Sequence, residues 1–412
     1  MPRRPFPRRF LRTSPGLGPD FTRLWWTAAA TNLGDGALLA AGPLLISSFT
    51  TSPAAVAAGS FAQQLPWLLF ALSSGALADR LPRRTLILVV NAVRGTVLAV
   101  LAIVVAFGLT QLWPIYLALF LLGAGETLAD TASAAVVVSL VEPAALGRAN
   151  ARLFLTFTVG NQLVGPPIGA FLFAVGAALP FGFHAAAFLL TVALLARTRP
   201  VPAEPGERRA LRADIAEGVR WLWRNPALRM LTLCILVMNL TGVAALAVWV
   251  LYARQWLGLS ERQFGLLVAV GAVGAIAGSQ AYGWLESRLS RTFLLRTGLA
   301  IESLTYLVLA LTRNVWVAAL TMAVFGAHAL VWGTVATTVR QQKTPVALLG
   351  RVSSVYLLAS AGGAAAGSLL GGVVAQRFGL LAPFWIAFAA VAVLAVLAWR
   401  RLRDIEPGEV SS

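Results

Sequence analysis

Charged side chains inside long apolar stretches are the residues of this sequence most able to do chemistry. There are five, namely Asp35, Arg94, Glu126, Asp130 and Glu302. If the apolar stretches cross a membrane, each such charge costs about 2.5–3.5 kcal/mol at the bilayer centre, so each should face protein or water. Glu126 and Asp130 are four residues apart, which places both carboxylates on one face of a helix. Buried acids of this kind can bind protons or pair with a cation.

The composition excludes an ordinary soluble enzyme and a disordered protein. Of 412 residues, 58% are hydrophobic and 12% are charged, whereas soluble domains contain about 25% charged residues. The net charge of +17 would suggest nucleic-acid binding in a soluble chain, but so few charges cannot cover a water-exposed surface. The single cysteine, Cys234, excludes a disulfide framework and a thiolate metal site, and two histidines leave little for a zinc site. These features indicate a membrane protein with many spans.

Twelve apolar runs are long enough to cross a bilayer, which takes about 20 residues per helix. Numbered spans 1 to 12, they are residues 24–49, 54–78, 85–107, 112–140, 151–176, 179–196, 228–253, 262–284, 292–312, 315–339, 352–375 and 381–399. The segments predicted to be cytoplasmic hold 28 of the 33 basic residues, the outer loops hold four, and Arg94 lies within span 3. The positive-inside rule therefore places both termini in the cytoplasm.

A charged stretch in the middle of the chain divides the spans six plus six. Apolar residues at helical spacing within it predict an amphipathic helix on the inner membrane surface. The predicted parts are a basic N-terminus (1–23), an N-terminal six-helix bundle (24–196), a cytoplasmic linker with the amphipathic helix (197–227), a C-terminal six-helix bundle (228–399) and a cytoplasmic tail (400–412).

The two halves also repeat one another. GALADRLPRR at 75–84 reappears as GWLESRLSR at 283–291, and EPAALGR at 142–148 reappears as TPVALLGR at 344–351. Asn32 in span 1 matches Asn239 in span 7. Because both halves begin on the inner side, the repeats are parallel, and this arrangement predicts two bundles that rock about a cavity between them.

Several of these motifs resemble those of the major facilitator superfamily. GALADRLPRR is similar to its loop 2–3 signature, and GPPIGA at 165–170 is similar to the span 5 signature of its proton-coupled exporters. TNLGDG at 31–36 and LLGRVSS at 348–354 resemble its twelve-span drug and siderophore exporter branch, which includes macrolide-efflux and enterobactin-exporter proteins. The resemblance implies an all-α membrane fold of twelve helices in two pseudo-symmetric six-helix bundles.

The resemblance also implies a gating role for the loop 2–3 motif, whose residues are Gly75, Asp79, Arg80, Arg83 and Arg84. It implies that Asp79 meets the N-terminus of span 11, where a helix macrodipole favours an anion by about 0.3–1 kcal/mol. That contact would hold an outward-facing state, while the arginines would pair with loop or lipid anions. Gly75 lets the helices pack closely. The alternative is a plain basic loop that only sets topology.

Span 5 carries a predicted hinge formed by Gly165, Pro166, Pro167 and Gly169. The prolines remove helix hydrogen bonds and bend the span, while the glycines allow another helix to cross closely. The family resemblance implies that this bend favours export.

The charged residues in the spans form two predicted groups. Asp35, Arg94, Asp130 and Glu302 lie at a common depth of roughly 14–16 Å from the inner ends of their spans. Superfamily architecture implies that spans 1, 4, 7 and 10 line the cavity, so Asp35, Glu126 and Asp130 should converge there. We hypothesise that Asp35 and Glu126 exchange protons or bind a cationic substrate, and that Asp130 pairs with Arg94. The alternative is a structural, charge-neutral cluster of Asp35, Arg94 and Asp130.

The C-terminal half offers a second group. Glu302 occupies the position equivalent to Arg94, and His328 on span 10 is its predicted partner. The pair could form a second proton site, or it could be packed structurally. Further candidates for the cavity wall are Asn239, Trp249 and Trp332. His184, placed near the outer end of span 6, receives no role.

These residues predict a secondary active transporter that exports an amphipathic drug, antibiotic or siderophore across a bacterial cytoplasmic membrane, in exchange for protons. The alternatives are an importer, an uncoupled facilitator, or a receptor or scaffold that does not transport. No Walker A motif is present in the sequence, and no catalytic nucleophile–base pair is visible. We expect a monomer with no cofactor, no metal and no nucleic-acid partner.

Overall fold

A computed structural model describes most of the chain, and every regular element within the described residues is a helix. The described residues are 17–78, 82–142, 145–196, 211–345 and 348–402. The expected all-α fold class is confirmed. Asp79 and Arg80 of the loop 2–3 motif lie outside the described residues.

The helices follow the predicted spans closely. Spans 1 to 6 are Gly18–Phe49, Pro53–Ala78, Arg83–Ala106, Leu112–Leu140, Leu146–Val175 and Leu179–Leu195. Spans 7 to 12 are Pro226–Leu246, Glu261–Arg288, Arg291–Leu311, Val315–Lys343, Leu349–Phe378 and Ala382–Arg401. Ten helices in the described residues are long and apolar enough to cross a membrane, and span 6 is a shorter apolar helix. The chain is therefore a multi-pass membrane protein, while the count of twelve spans stays a prediction.

Polar residues at and within the spans satisfy backbone groups that have no water to bind in a bilayer. Ser260 and Gln263 form a capping box at the start of span 8, and the Asn314 side chain accepts hydrogen bonds from the first turn of span 10. Inside span 4, the Thr127 hydroxyl donates to the Gly123 carbonyl at 2.9 Å. This hydroxyl therefore makes its hydrogen bond within its own helix and needs no water in the apolar layer.

The sequence repeat reappears in how the helices pack. A Cβ added to Gly160 in span 5 would lie 3.4 Å from the Asn32 Cβ in span 1. The equivalent contact joins span 11 to span 7, where a Cβ on Gly363 would lie 3.3 Å from the Asn239 Cβ. Both asparagine amides donate to the carbonyl four residues earlier in their own helices. Span 5 therefore packs on span 1 as span 11 packs on span 7.

The two halves meet tightly at one end of the bundle. We call the side where span 1 begins and span 12 ends the inner side, because the arginines predict it to be cytoplasmic. Near the outer side, the hydroxyl of Ser52, one residue before span 2, lies 2.8 Å from the Gln376 Oε1 of span 11. A Cβ on Gly372 would lie 2.5 Å from the Ala57 Cβ, and one on Gly265 would lie 2.7 Å from a carbonyl oxygen of span 5. These contacts close the outer side between the halves.

The predicted linker contains a helix, Leu211–Arg224, which we call the linker helix. It packs on the C-terminal bundle, because Leu222 clusters with Leu228 of span 7 and Val352 of span 11. Glu217 also forms an ion pair with Arg351 at the inner end of span 11. The linker helix is therefore held against the C-terminal half.

Candidate functional site

A cavity of about 180 Å³ lies inside the N-terminal bundle, between spans 1, 3, 4 and 5. We call it the acidic cavity, because Asp35, Glu126 and Asp130 all line it together with Arg94. Sequence reasoning predicted that the three carboxylates converge in a cavity lined by spans 1, 4, 7 and 10. The structure brings them together, but in a cavity within the N-terminal bundle that no described residue of a C-terminal span lines, so the predicted location is corrected.

Arg94 forms its ion pair with Asp35, whose Oδ1 lies 2.8 Å from the arginine Nη2. The predicted ion pair between Arg94 and Asp130 is therefore wrong, and Asp35 is the partner of Arg94. The reason is local, since a Cβ on Gly125 would lie 2.7 Å from the Arg94 Cδ. The absence of a side chain at Gly125 lets the arginine cross span 4 and reach span 1. Residue spacing predicts that four charged residues lie at one depth, but depth alone does not show which of them face each other.

The Asp35–Arg94 pair is only partly enclosed. The arginine side chain is 5% exposed, whereas the Asp35 side chain keeps 17% of its surface exposed and lines the cavity. Asp35 is therefore both a partner of Arg94 and accessible to a small ligand such as a proton or water.

His184 is a member of this site that sequence reasoning missed. Its Nε2 lies 3.2 Å from the Asp35 Oδ1, and the residue is buried. The space for its ring comes from Gly34, where a Cβ would lie only 2.1 Å from the His184 Cδ2. Phe188, one turn later in span 6, stacks on the His184 ring and lies 4.5 Å from the Arg94 guanidinium carbon. The glycine beside Asp35 was the available signal, but the relative height of spans 1 and 6 cannot be read from spacing.

Glu126 and Asp130 have a different environment from Asp35. Both line the acidic cavity, and within the described residues neither makes an ion pair or a side-chain hydrogen bond. Three neutral amides, Asn32, Asn91 and Asn161, also line the cavity and were not predicted to do so. The cavity thus holds three carboxylates for one arginine, which leaves capacity for protons or for a cation.

The second predicted group is buried in the C-terminal bundle. The Glu302 Oε2 lies 3.1 Å from the His328 Nε2, and the Tyr306 hydroxyl donates to the Glu302 Oε1 at 3.0 Å. All three residues are buried. The predicted contact between Glu302 and His328 is present, and Tyr306 is an additional partner.

A larger cavity of about 570 Å³ lies between the two halves. We call it the central cavity. Its walls come from spans 1, 5, 7, 8 and 10 and are mainly apolar, and they include Leu39, Phe154, Phe157, Gln162, Phe325 and Leu330. This cavity has the size and chemistry to hold an amphipathic small molecule.

The other predicted cavity residues lie elsewhere. Trp332 is 2% exposed and Trp249 is 6% exposed, so both belong to the packed core of the C-terminal half. Trp249 stacks on Tyr252 with the ring centroids 5.0 Å apart. The Asn239 amide donates to the Ile235 carbonyl at 3.0 Å, within its own helix. For these three residues the structure gives packing roles and no place in the central cavity wall.

Part of the loop 2–3 motif lies within the described residues. Gly75 is in span 2 and Arg83 begins span 3. Arg84 donates from Nε to the Leu195 carbonyl at 3.0 Å and from Nη2 to the Ala196 carbonyl at 2.5 Å. A guanidinium at the C-terminal carbonyls of span 6 is favourable for the helix dipole. Arg84 therefore joins the inner ends of spans 3 and 6.

The predicted hinge in span 5 has an unexpected form. The segment Phe157–Val164 is π-helical, and Pro166 and Pro167 follow it in the first turn of the next α-helical stretch. A Cβ on Gly169 would lie 2.0 Å from the Ala37 carbonyl oxygen of span 1. The close crossing of the two spans thus depends on glycine, and the interruption of span 5 precedes the prolines.

Comparison with known sequences finds similar membrane exporters. The sequence profile of the transmembrane secretion effector family matches residues 14–412. The multidrug efflux pump Tap of Mycolicibacterium fortuitum is 26% identical over 398 residues, which cover 92% of this chain and 96% of Tap. The enterobactin exporter EntS of Escherichia coli O81 (strain ED1a) is 29% identical over 355 residues, 82% of each chain.

Comparison with solved structures finds the same architecture. A bacterial homologue of the iron transporter ferroportin, in an inward-facing state, has a TM-score of 0.75 at 18% identity and covers 94% of this chain and 99% of that one. The nucleoside transporter NupG has a TM-score of 0.74 at 10% identity, over 95% of this chain and 100% of that one. At these identities the likeness concerns the fold alone, and the expected major facilitator fold is confirmed.

Proposed function

Because the chain belongs to the transmembrane secretion effector family of the major facilitator superfamily, we propose that it exports an amphipathic small molecule in exchange for protons. The observation that carries this proposal is the pairing of two cavities. One is acidic and lies within the N-terminal bundle, and the other is apolar and lies between the halves. The similarity to an efflux pump and to a siderophore exporter supports export.

The acidic cavity is the proposed proton site. Asp35 holds Arg94 by an ion pair at 2.8 Å, so a proton that binds Asp35 removes the charge that holds the arginine in place. Glu126 and Asp130 then become its alternative partners, since both line the same cavity. In a low-dielectric site, a change of partner of this kind involves several kcal/mol and can bias the position of helices.

The central cavity is the proposed cargo site. Few polar side chains interrupt its apolar wall, among them Thr158, Gln162, Ser279 and Gln280. An apolar wall with few polar groups suits cargo with a large hydrophobic body and tolerates variation in shape. The nearby carboxylates favour neutral or cationic cargo over anionic cargo.

The contacts between the halves support a direction of transport. The halves are in close contact near the outer side, at Ser52 with Gln376 and at Gly372, and the central cavity lies between the halves. Cargo would enter from the cytoplasm, and alternating access would then open the outer side. In this proposal the protein works as a monomer in the bacterial cytoplasmic membrane with both termini cytoplasmic, and Asp79 stabilises the outward-facing state.

The test uses purified protein in liposomes with a pH-sensitive dye trapped inside. A proton gradient is imposed, and lipophilic cations, macrolides and siderophores are added in turn. We expect substrate-triggered proton movement in the wild type, and its reduction to the level of protein-free liposomes in Asp35→Asn and Glu126→Gln. Glu261→Gln is the matched control, because Glu261 pairs with Arg254 outside both cavities.

Other outcomes separate the alternatives. Proton movement that persists at the wild-type rate in both acidic-cavity variants contradicts the proposed carriers. Cargo uptake in the opposite direction, measured in inverted vesicles, would indicate an importer. Ligand binding without counterflow of labelled ligand would indicate a receptor or scaffold.

A further inference from the structure

The acidic cavity and the central cavity share one side chain among the residues that line them. Phe157 belongs to the wall of both cavities. The acidic cavity is also lined by Asp130 and Asn161, and the central cavity is also lined by Phe154 and Thr158. The proposed proton site and the proposed cargo site are therefore adjacent, with an aromatic ring at their boundary.

The π-helical segment that begins at Phe157 contributes to both walls. Residues four apart lie on nearly the same side of an α-helix or a π-helix. Phe157 and Asn161 both line the acidic cavity, whereas Thr158 and Gln162 line the central cavity. One short stretch of span 5 thus presents one side to the carboxylates and the other side to the cargo.

The same segment is fixed to the helix that carries Asp35. A Cβ on Gly36 would lie 2.4 Å from the Asn161 carbonyl oxygen and 2.8 Å from the Gly160 carbonyl oxygen. The backbone beside Asp35 is therefore in direct contact with the backbone of the π-helical segment. The segment that carries Phe157 is therefore packed directly against span 1.

We propose that Phe157 is a specificity-determining residue that keeps cargo in the central cavity from touching the carboxylates of the acidic cavity. The proposal rests on the proposed cargo site. Because the ring blocks direct ion pairing, a positive charge on the cargo adds little to its affinity, and neutral and cationic compounds of similar shape bind similarly. Replacing Phe157 with alanine joins the two cavities and exposes Glu126 and Asp130 to the cargo.

The first experiment tests the barrier without any cargo. Cys234 is the only cysteine, so Cys234→Ala provides a background in which Asn161→Cys is the single thiol. A bulky lipophilic maleimide, too large for a cavity of about 180 Å³, is added to the protein in detergent. We expect slow labelling with Phe157 present and labelling at least about tenfold faster after Phe157→Ala, since the ring no longer excludes the reagent.

Phe154→Ala is the matched control for this labelling. Phe154 lines the central cavity alone, so its truncation enlarges that cavity without opening the boundary. We expect labelling of the Asn161→Cys thiol to remain slow in this variant. Fast labelling with Phe157 intact, or equal acceleration by both truncations, would overturn the proposal.

The second experiment measures selectivity for charge. The Kd values of tetraphenylphosphonium, a cation, and triphenylphosphine oxide, a neutral compound, are compared in the wild type, Phe157→Ala and Phe154→Ala. We expect Phe157→Ala alone to shift the ratio of the two Kd values about tenfold toward the cation, the order of one charge-assisted contact. Addition of Glu126→Gln and Asp130→Asn should return the ratio to the wild-type value.

The two experiments separate failure of this proposal from failure of the proposed function. If the ratio of Kd values is the same in Phe157→Ala and Phe154→Ala, Phe157 does not determine specificity. If the wild type binds neither probe, the proposed cargo site is contradicted, and the labelling of the Asn161→Cys thiol still decides whether Phe157 separates the cavities.

Discussion

One ion pair balances the buried positive charge of Arg94. Its side chain is 5% exposed and its ion pair is with Asp35, while Phe188 covers its guanidinium from span 6. A buried charge that loses its partner is strongly destabilising, whereas removal of both partners leaves nothing unpaired. This asymmetry distinguishes a buried pair from an exposed one.

Replacement of one member of the pair should therefore cost more than replacement of both. We expect Asp35→Asn, which removes the ion pair of Arg94, to destabilise the fold by about 3–5 kcal/mol, less whatever part Glu126 or Asp130 recovers by pairing with Arg94 instead. The double variant Asp35→Asn with Arg94→Gln should recover part of this loss. The measurement is the melting temperature of the purified protein in detergent, followed by intrinsic tryptophan fluorescence.

The control is the more exposed pair of Arg254 and Glu261, with a nitrogen–oxygen distance of 3.7 Å. Such pairs contribute about 0–1 kcal/mol, so Arg254→Gln should barely change the melting temperature. A double Asp35/Arg94 variant that melts below Asp35→Asn would contradict the asymmetry.

The residues of the site could be predicted from sequence more easily than their partners. Asp35, Glu126 and Asp130 were found because a carboxylate in an apolar run is costly and therefore informative. His184 was missed, and Arg94 was assigned to Asp130, because ion pairs between helices depend on rotation and relative height. Neither quantity is set by the sequence of one helix.

At the level of the helices, a small residue in span 5 determines how closely this span packs against span 1. The Ala37 carbonyl of span 1 occupies the space that a side chain on Gly169 would need, since a Cβ there would lie 2.0 Å from that oxygen. The obstacle is backbone, which cannot rotate away as a side chain can. The two helices must separate if any side chain is added.

We therefore expect Gly169→Ala to destabilise the protein by about 1–3 kcal/mol, the usual cost of overpacking. Gly147→Ala, near the inner end of the same span, is the control, because a Cβ there has nothing within 4 Å. Chemical denaturation or thermal melting of both variants is the measurement. Equal stability of the two variants would show that spans 1 and 5 separate at little cost.

The helices were largely predictable because a bilayer requires long apolar runs. The observed bounds extend past the apolar stretch at several ends, as in span 1, which begins at Gly18 rather than residue 24. The π-helical segment Phe157–Val164 was not predicted. The motif GPPIGA predicted a bend at the prolines, and the change in hydrogen bonding lies in the turn before them, because a proline removes the hydrogen bond to the carbonyl four residues earlier.

For the whole molecule, the outer closure between the halves is the feature most directly tied to transport. The hydroxyl of Ser52, one residue before span 2, lies 2.8 Å from the amide oxygen of Gln376 in span 11. If the halves must separate there to release cargo, a covalent connection at this point should stop transport while leaving entry to the central cavity open.

We expect Ser52→Cys with Gln376→Cys, in the Cys234→Ala background, to lose cargo export after treatment with a short bis-methanethiosulfonate cross-linker. A reducing agent should restore export, and each single-cysteine variant should be unaffected by the reagent. Export of a fluorescent lipophilic cation from proteoliposomes is the measurement. Export at the wild-type rate by fully cross-linked protein would contradict an outer gate at this position.

The docking of the linker helix has a mechanical consequence for the connection between the bundles. Because Glu217 pairs with Arg351 and Leu222 packs on span 11, this helix travels with the C-terminal half as one part. Any movement of the C-terminal half relative to the N-terminal half would carry the linker helix with it. Counted from the end of span 6, where Arg84 is bound, to the start of this helix at Leu211, the covalent connection between the two halves is shorter than the linker as the sequence delimits it.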